Sequence, residues 1–244
     1  MVSVWGLTDR GIVRRENQDS CAYEIIEEDG LAWGVVCDGM GGAKAGDIAS
    51  KMAVETFCSH LEQLKDLEGP PPAADLLLEA AEDANRVVYL KAETDDDCVG
   101  MGTTLVGAIL QGNTLWVVNV GDSRAYHITQ KAIQRITRDH SVVEDLVAKG
   151  DLTPEQARRH PQKNLITRAL GTSRKVKADL FQETVAEGDW LLLCSDGLIN
   201  EVTDQEIHQE ILAGGTPQEI CQRLVIRTLD SGAPDNVTVV LFHL

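Results

Sequence analysis

The sequence predicts an α+β fold in which antiparallel sheets pack together and helices cover the outside. Ten short runs, apolar or alternating, have strand length and turn-separated spacing. Two longer segments with a 3.6-residue apolar stripe follow the third of these runs as a pair. Several hairpin-spaced strands then come in succession, which is not the strand–helix alternation of a parallel sheet.

The first strands are predicted at 2–7, 21–27 and 31–37. The paired helices come next. One carries Ile48, Met52, Phe57, Leu61 and Leu64 on a single face; the other carries Leu77, Ala80, Ala81, Ala84 and Val88. Gly69-Pro70-Pro71-Pro72 breaks the pattern between them and reads as an interhelical loop. The acidic run 93–97 reads as a solvated loop. Further strands are predicted at 104–110, 114–120, 124–129, 132–136, 180–184, 190–194 and 237–242. Leu115-Trp116-Val117-Val118 is apolar at successive positions, so both faces of that strand should be buried. Capping-box patterns at Ser141/Glu144, Thr153/Gln156, Thr203/Glu206 and Thr216/Glu219 mark four helix starts.

The chain of 244 residues, 43% hydrophobic, has the material for a sizeable core and reads as one domain. No apolar run approaches the roughly 18 residues of a membrane span, and residues 1–10 lack the pattern of a signal peptide. A soluble, cytoplasmic protein without membrane insertion is expected, and a monomer. The net charge of −17 opposes nucleic acid and anionic lipid as partners. No two of the six cysteines are spaced as Cys-x-x-Cys, which argues against a zinc ribbon or redox pair. Cys37 and Cys194 sit inside apolar runs, where a free thiol behaves as a small hydrophobe.

Several aspartates end apolar runs. Trp33-Gly34-Val35-Val36-Cys37 leads into Asp38-Gly39, Leu191 to Ser195 into Asp196-Gly197, and Val117 to Gly121 into Asp122. Asp19 lies close to Cys21, and Asp235 closely precedes the last strand. A carboxylate leaving a buried strand needs a cation or hydrogen-bond donors to offset desolvation. Each pair alone is equally a turn, since Asp-Gly favours turns, and five such sites could face different directions. If they converge, an all-oxygen set suits Mg²⁺ or Mn²⁺, and two such ions suit hydrolysis of a phosphate ester. Arg14, five residues before Asp19, is then a candidate for gripping the phosphate, although alone it reads as a surface charge.

Together these motifs resemble the metal-dependent Ser/Thr protein phosphatases of the PPM type (protein phosphatase type 2C) in their compact bacterial form. The segments that carry the resemblance are Thr8-Asp9-Arg10-Gly11-x-x-Arg14-x-x-Asn17-Gln18-Asp19, Asp38-Gly39-Met40-Gly41-Gly42, Gly100-Met101-Gly102-Thr103-Thr104, Val120-Gly121-Asp122-Ser123-Arg124, Cys194-Ser195-Asp196-Gly197-Leu198 and Asp235-Asn236-Val237-Thr238. They occur in family order over nearly the whole chain. The resemblance implies a four-layer α-β-β-α sandwich of two antiparallel sheets flanked by helices. It implies two core Mg²⁺ or Mn²⁺ ions, bridged by Asp38. The Gly39 carbonyl, Asp196 and Asp235 would complete the ligands, and Asp19 would act mainly through metal-bound water. A third, weaker ion would be held by Asp122 with Asp196. Arg14 would bind the phosphate. The implied reaction is hydrolysis of phosphoserine and phosphothreonine in proteins by a metal-bridging hydroxide, with no phosphoenzyme. The implied partners are phosphorylated proteins and an opposing Ser/Thr protein kinase.

Two positions depart from the pattern. Met40 and Ala43 stand where some relatives carry histidines, one of them proposed to protonate the leaving group. The segment 139–171 resembles the family's flap, a subdomain beside the active site, and contains His140, Arg158, Arg159, His160, Lys163 and Arg168. This basic cluster either receives the phosphorylated partner or is a solvated helical hairpin. His140 and His160 read as ordinary polar residues rather than catalytic ones. Of the rivals, cysteine-based phosphatase chemistry is set aside, Asp38-Gly39-Met40 is not Asp-x-Asp, and no P-loop is present. A non-catalytic regulatory module would show lost ligands, and a metal hydrolase of small esters remains as a third reading.

Overall fold

The structure, a computed structural model, describes residues 1–27, 30–65 and 72–244. In chain order its strands and helices are β1 (Ser3–Asp9), β2 (Asp19–Glu27), β3 (Leu31–Met40), α1 (Gly42–Leu61), α2 (Ala73–Thr94), β4 (Gly102–Thr103), β5 (Leu105–Gln111), β6 (Thr114–Val120), β7 (Arg124–Ile128) and β8 (Ile133–Arg135). There follow α3 (Val142–Lys149), α4 (Pro154–Arg158), β9 (Asp179–Thr184), β10 (Trp190–Cys194), α5 (Asp196–Ile199), α6 (Asp204–Leu212), α7 (Pro217–Asp230) and β11 (Val237–His243). One sheet runs β1-β11-β10-β7-β8; the other runs β2-β3-β5-β6-β9, with β4 on the end of β3. Every pairing among the described residues is antiparallel.

Three apolar layers hold four layers of structure together. The middle one lies between the sheets: Val36, Val106, Ala108 and Val117 meet Leu191, Leu193, Val240 and Phe242. Outside the second sheet, Trp33, Val35, Ile109 and Val118 pack on Phe57, Leu61, Leu77 and Val88 of α1 and α2. Outside the first, Leu192, Val239 and Leu241 pack on Ile207, Cys221 and Leu224 of α6 and α7. Successive residues of β10 therefore serve different layers, which is why the strand is apolar throughout instead of alternating. Glycine makes room for rings: a Cβ on Gly107 would stand 2.5 Å from Phe57, and one on Gly34 would stand 2.7 Å from Phe242.

All ten anticipated strands are present, two of them with the expected bounds and the rest with edges shifted by at most three residues. β3 runs on through Asp38 to Met40, because Gly39 and Met40 pair with Thr103 and Gly102 of β4. Those two residues are too few to leave a pattern in the sequence. The boxes at Thr153, Thr203 and Thr216 are complete. At Ser141 the hydroxyl accepts the Glu144 N–H, but the Glu144 carboxylate turns to Arg135 instead. The run 93–97 is not wholly loop: α2 continues to Thr94, and Asp95 caps a short 3₁₀ turn. Of the proline-rich loop, residues 69–71 lie outside the described residues. No helix among the described residues is long and apolar enough to cross a membrane.

Phe57 is wholly buried over Gly107, so Phe57→Ala should cost ~3–5 kcal/mol of stability in urea unfolding. A cost below 1 kcal/mol would mean that the layer collapses to fill the gap.

Candidate active site

The aspartates meet at one end of the sandwich, where both sheets deliver chain ends. Asp19 opens β2 and stands directly across from Asp38 on β3. Asp196 leaves β10 as the first residue of α5, Asp235 closely precedes β11, and Asp122 follows β6. Two glycines allow this crowding. A Cβ on Gly39 would lie 2.0 Å from the Gly46 carbonyl oxygen, and one on Gly197 would lie 1.9 Å from that of Asn236. Gly197 thus lets the Asp196 turn press against the Asp235 segment. Asp38, Asp122, Asp196, Asp235 and Arg14 line a cleft of about 420 Å³, together with Asn164 and Ile166.

Each carboxylate is held differently. Asp19 is 6% exposed. Its Oδ2 accepts from Ser195 Oγ at 2.8 Å, just after β10, and from Thr238 Oγ1 at 2.7 Å, in β11 of the opposite sheet. Its Oδ1 is buried without a partner. Burial, only partly offset by those two hydrogen bonds, pushes its pKa up to about 7. Burial, with Asp19, Asp196, Asp122 and Asp235 around it, drives Asp38 well above the usual carboxylate range. Burial and Asp235 raise Asp196, and burial and Asp196 raise Asp122. Asp196 Oδ1 is likewise buried and unpartnered, while its Oδ2 accepts from Asn200 at 3.0 Å.

Arg14 is half exposed at the cleft mouth, and its Nη2 donates to Asp235 Oδ2 at 2.7 Å. That bond raises the guanidinium pKa above its ordinary value. Among the described residues no three acidic, histidine or cysteine side chains already surround a single coordination point. The contacts themselves divide the group: Arg14 takes Asp235, and hydroxyls take Asp19. The donor set nevertheless fits hard divalent cations. It is all oxygen, five carboxylates crowd together with one arginine beside them, and two buried oxygens lack any donor.

The sequence reading missed the residues that position this site. Asn236 is buried, and its Oδ1 accepts the Gln18 N–H at 2.9 Å. Its Nδ2 donates to the carbonyls of Arg10 at 2.8 Å and Glu16 at 3.0 Å. One side chain thus clamps the whole loop that bears Arg14. Thr104 Oγ1 accepts the Asp38 N–H at 2.9 Å and meets Ser123 Oγ at 2.7 Å, so it ties β3 to the loop of Asp122. The signal for Thr104 and Thr238 was a hydroxyl inside an otherwise apolar strand. Met40 lines the cleft, and no histidine is among the described residues that do so. The side chain of Ala43 lies outside the described residues.

The basic cluster of 139–171 is divided. Lys163 and Arg158 line a cavity of about 320 Å³ beside Asp122 and Asp196. Arg168 pairs with Asp179 at 2.9 Å, and His140 is buried. One cysteine-phosphatase spacing does occur, Cys221 to Arg227, and the structure removes it as a rival. Both residues lie within α7, burial pushes the Cys221 thiol up to about 12, and Arg227 pairs with Glu206 and Glu210.

A two-sheet sandwich with an acidic cluster between its sheet ends is the architecture of a PPM-type phosphatase. The crystal structure of the Mycobacterium tuberculosis serine/threonine phosphatase PstP superimposes with a TM-score of 0.89, at 36% identity, over 100% of this chain and 98% of that one. A PstP catalytic domain in complex with two manganese ions matches with a TM-score of 0.86, at 34% identity, over 99% of this chain and 97% of that one. The serine/threonine phosphatase stp of Listeria monocytogenes is 37% identical over 234 residues, 96% of this chain and 92% of that protein. Residues 13–222 match the family described as protein phosphatase 2C. The chain belongs to that family and is a serine/threonine protein phosphatase.

Two outcomes follow from the geometry. Asn236→Ala should leave the fold intact while freeing the 10–18 loop, so trypsin should cut after Arg10, Arg14 or Arg15 markedly faster than in wild type. Unchanged cleavage would mean that the loop is held by other contacts. The folded state binds protons that the unfolded chain releases, because Asp19 titrates near 7 instead of near 3.8. In EDTA its contribution to stability is full below about pH 4 and is lost as pH rises through about 7. The melting temperature in EDTA should therefore fall between about pH 4 and about pH 7, Mn²⁺ should restore it, and Asp19→Asn should flatten the slope.

Proposed function

We propose that this site hydrolyses phosphoserine and phosphothreonine esters of proteins with two bound divalent cations, Mg²⁺ or Mn²⁺. The observation that carries the reading is the crowding of Asp19, Asp38, Asp196 and Asp235 around buried, unpartnered carboxylate oxygens, with Arg14 at the cleft mouth. Asp38, the Gly39 carbonyl, Asp196 and Asp235 are the residues proposed to hold the two ions. Asp19 acts at one remove, and Asp122 with Asp196 offers a third, weaker place. When bound, such ions bring a water's pKa toward neutrality and neutralise phosphoryl oxygens.

The chain's own groups do the rest. Arg14 presents a forked donor to the substrate phosphate at the cleft mouth, where it can exchange Asp235 for phosphoryl oxygens. Asp19, anchored by Ser195 and Thr238, keeps a proton-accepting oxygen in the site at a fixed place. Thr104 fixes the backbone of Asp38. Met40 has no proton to give, so the proton for the departing Ser or Thr oxygen comes from water or from another group of the site. The reading needs no phosphoenzyme: Ser195 is buried and committed to Asp19 and the Thr238 amide. The segment 139–171 is a flap subdomain of this single catalytic domain, with Arg158 and Lys163 facing the polypeptide that carries the phosphate. The opposing enzyme is a Ser/Thr protein kinase, and a cytoplasmic monomer is the working form.

Phosphate release from a phosphothreonine peptide should require Mg²⁺ or Mn²⁺ and should stop in EDTA. Asp38→Asn should lower kcat/KM by ~10²–10³-fold, as for loss of one preorganised electrostatic group. Arg14→Ala should act mainly through KM. A preference for phosphotyrosine would change the substrate class, and no release from folded protein with any metal would sink the reading.

A further inference from the structure

Of the six histidines in the sequence, His140 has no part in the chemistry above, yet it is 5% exposed. Its backbone N–H donates to the Gly121 carbonyl at 2.9 Å. Its ring Nδ1 accepts the Gly121 N–H at 3.1 Å. One residue thus satisfies both polar groups of the residue immediately before Asp122. The same histidine's carbonyl accepts the Thr167 N–H at 2.7 Å, and the Ser141↔Ile166 bridge lies beside it. It therefore also joins the outgoing and returning strands of the 139–171 segment at their base.

The ring is fixed in one tautomer. Nδ1 accepts from a backbone N–H, which puts the ring proton on Nε2, and that nitrogen lies 3.1 Å from Asp179 Oδ2 and 3.0 Å from Arg168 Nη1. Burial lowers the His140 pKa and favours this neutral ring. Asp179 is in turn held by Arg168 Nη1 at 2.9 Å. On its other side Gly121 has no freedom: with φ +112, a Cβ there would sit 2.6 Å from Thr104 Cγ2. A continuous line of contacts runs from Asp38 through Thr104 and Gly121 to His140 and the base of the segment.

We propose that His140 is a positioning residue. It locks the base of the 139–171 segment onto Gly121 and so fixes how Asp122 is presented to the cleft. The second half rests on the reading of Asp122 as a cation ligand. Residues that hold a ligand in place typically govern metal affinity by ~10–100-fold when removed.

Two substitutions separate the ring nitrogens. In His140→Asn the amide oxygen stands near Nδ1 and can keep the Gly121 N–H. In His140→Gln the amide nitrogen reaches toward Asp179 and the Gly121 N–H loses its acceptor. Both are made in the full chain, with thermal unfolding as the check on folding. Amide hydrogen exchange of 119–124, measured in EDTA, should quicken by ~5-fold in His140→Gln, the size expected for one hydrogen bond, and stay near wild type in His140→Asn. Calorimetric titration with Mn²⁺ should show the weakest binding step lowered by ~10-fold in His140→Gln, with rescue in His140→Asn. Equal effects of both variants on exchange, or no effect of either, overturn the lock. Quickened exchange with an unmoved Mn²⁺ titration overturns the link to Asp122. Asp122→Ala is titrated in parallel: if it too leaves the weak step unmoved, it is the ligand reading of Asp122 that has failed, and the exchange result alone decides the lock.

Discussion

The structure is organised around the mutual repulsion of carboxylates placed together in a sheltered cleft. Asp38 lies within the fields of Asp19, Asp122, Asp196 and Asp235, and burial alone already disfavours its charge. Left to relax, such side chains would turn outward to water. They do not, because each is fixed through its backbone by something rigid. Asp19 and Asp38 are cross-strand partners, Asp196 starts a helix at the end of β10, and Asp235 sits where the chain enters β11. Three apolar layers hold those ends in register, so sandwich packing does the electrostatic work against the repulsion. Stability is given up locally to keep a cation-accepting site in shape.

The link between the two sheets is polar as well as apolar. Asp19 belongs to one sheet, and its two hydroxyl donors come with the other: Thr238 lies in β11, and Ser195 directly follows β10. Ser195 Oγ also accepts the Thr238 N–H at 3.0 Å, closing a small network. A slip of one residue in β11 would move Thr238 to the opposite face and break it. The register of the core strands and the placement of the acidic site are therefore one constraint. Asn236 extends it outward to the Arg14 loop, and His140 extends it to the 139–171 segment.

Much of this was legible from sequence, for a definite reason. Strands buried on both faces leave continuous apolar runs, and the acidic residues that end them stand out against that background. Asp38, Asp122, Asp196 and Asp235 could each be found this way, and Arg14 and Asp19 through their motif. What could not be read was convergence, because each Asp-Gly pair is an adequate turn by itself. The clamps were hidden for a related reason: Asn236, Ser195 and His140 are polar residues next to turns, and only long-range contacts show that they are buried. β4 escaped because two residues carry no period. The cysteine at 221 shows the opposite hazard, a spacing that matches a catalytic motif but falls inside a helix whose register buries the thiol in the core.

The charge of the whole molecule sets the terms on which substrate arrives. With a net −17, the long-range field repels a phosphorylated, acidic segment at low ionic strength, and screening over about 8–10 Å at physiological salt confines what remains to close approach. At that range the relevant charges are local. Arg14 stands at the cleft mouth, and Arg158 and Lys163 lie across the neighbouring cavity. Recognition is therefore short-ranged. On the proposed reading, a phosphate is drawn in only once it is within reach of these few side chains. On the same reading, selectivity then falls to the contacts a phosphorylated segment makes beside the cleft, since nothing in the distant field favours one acidic partner over another.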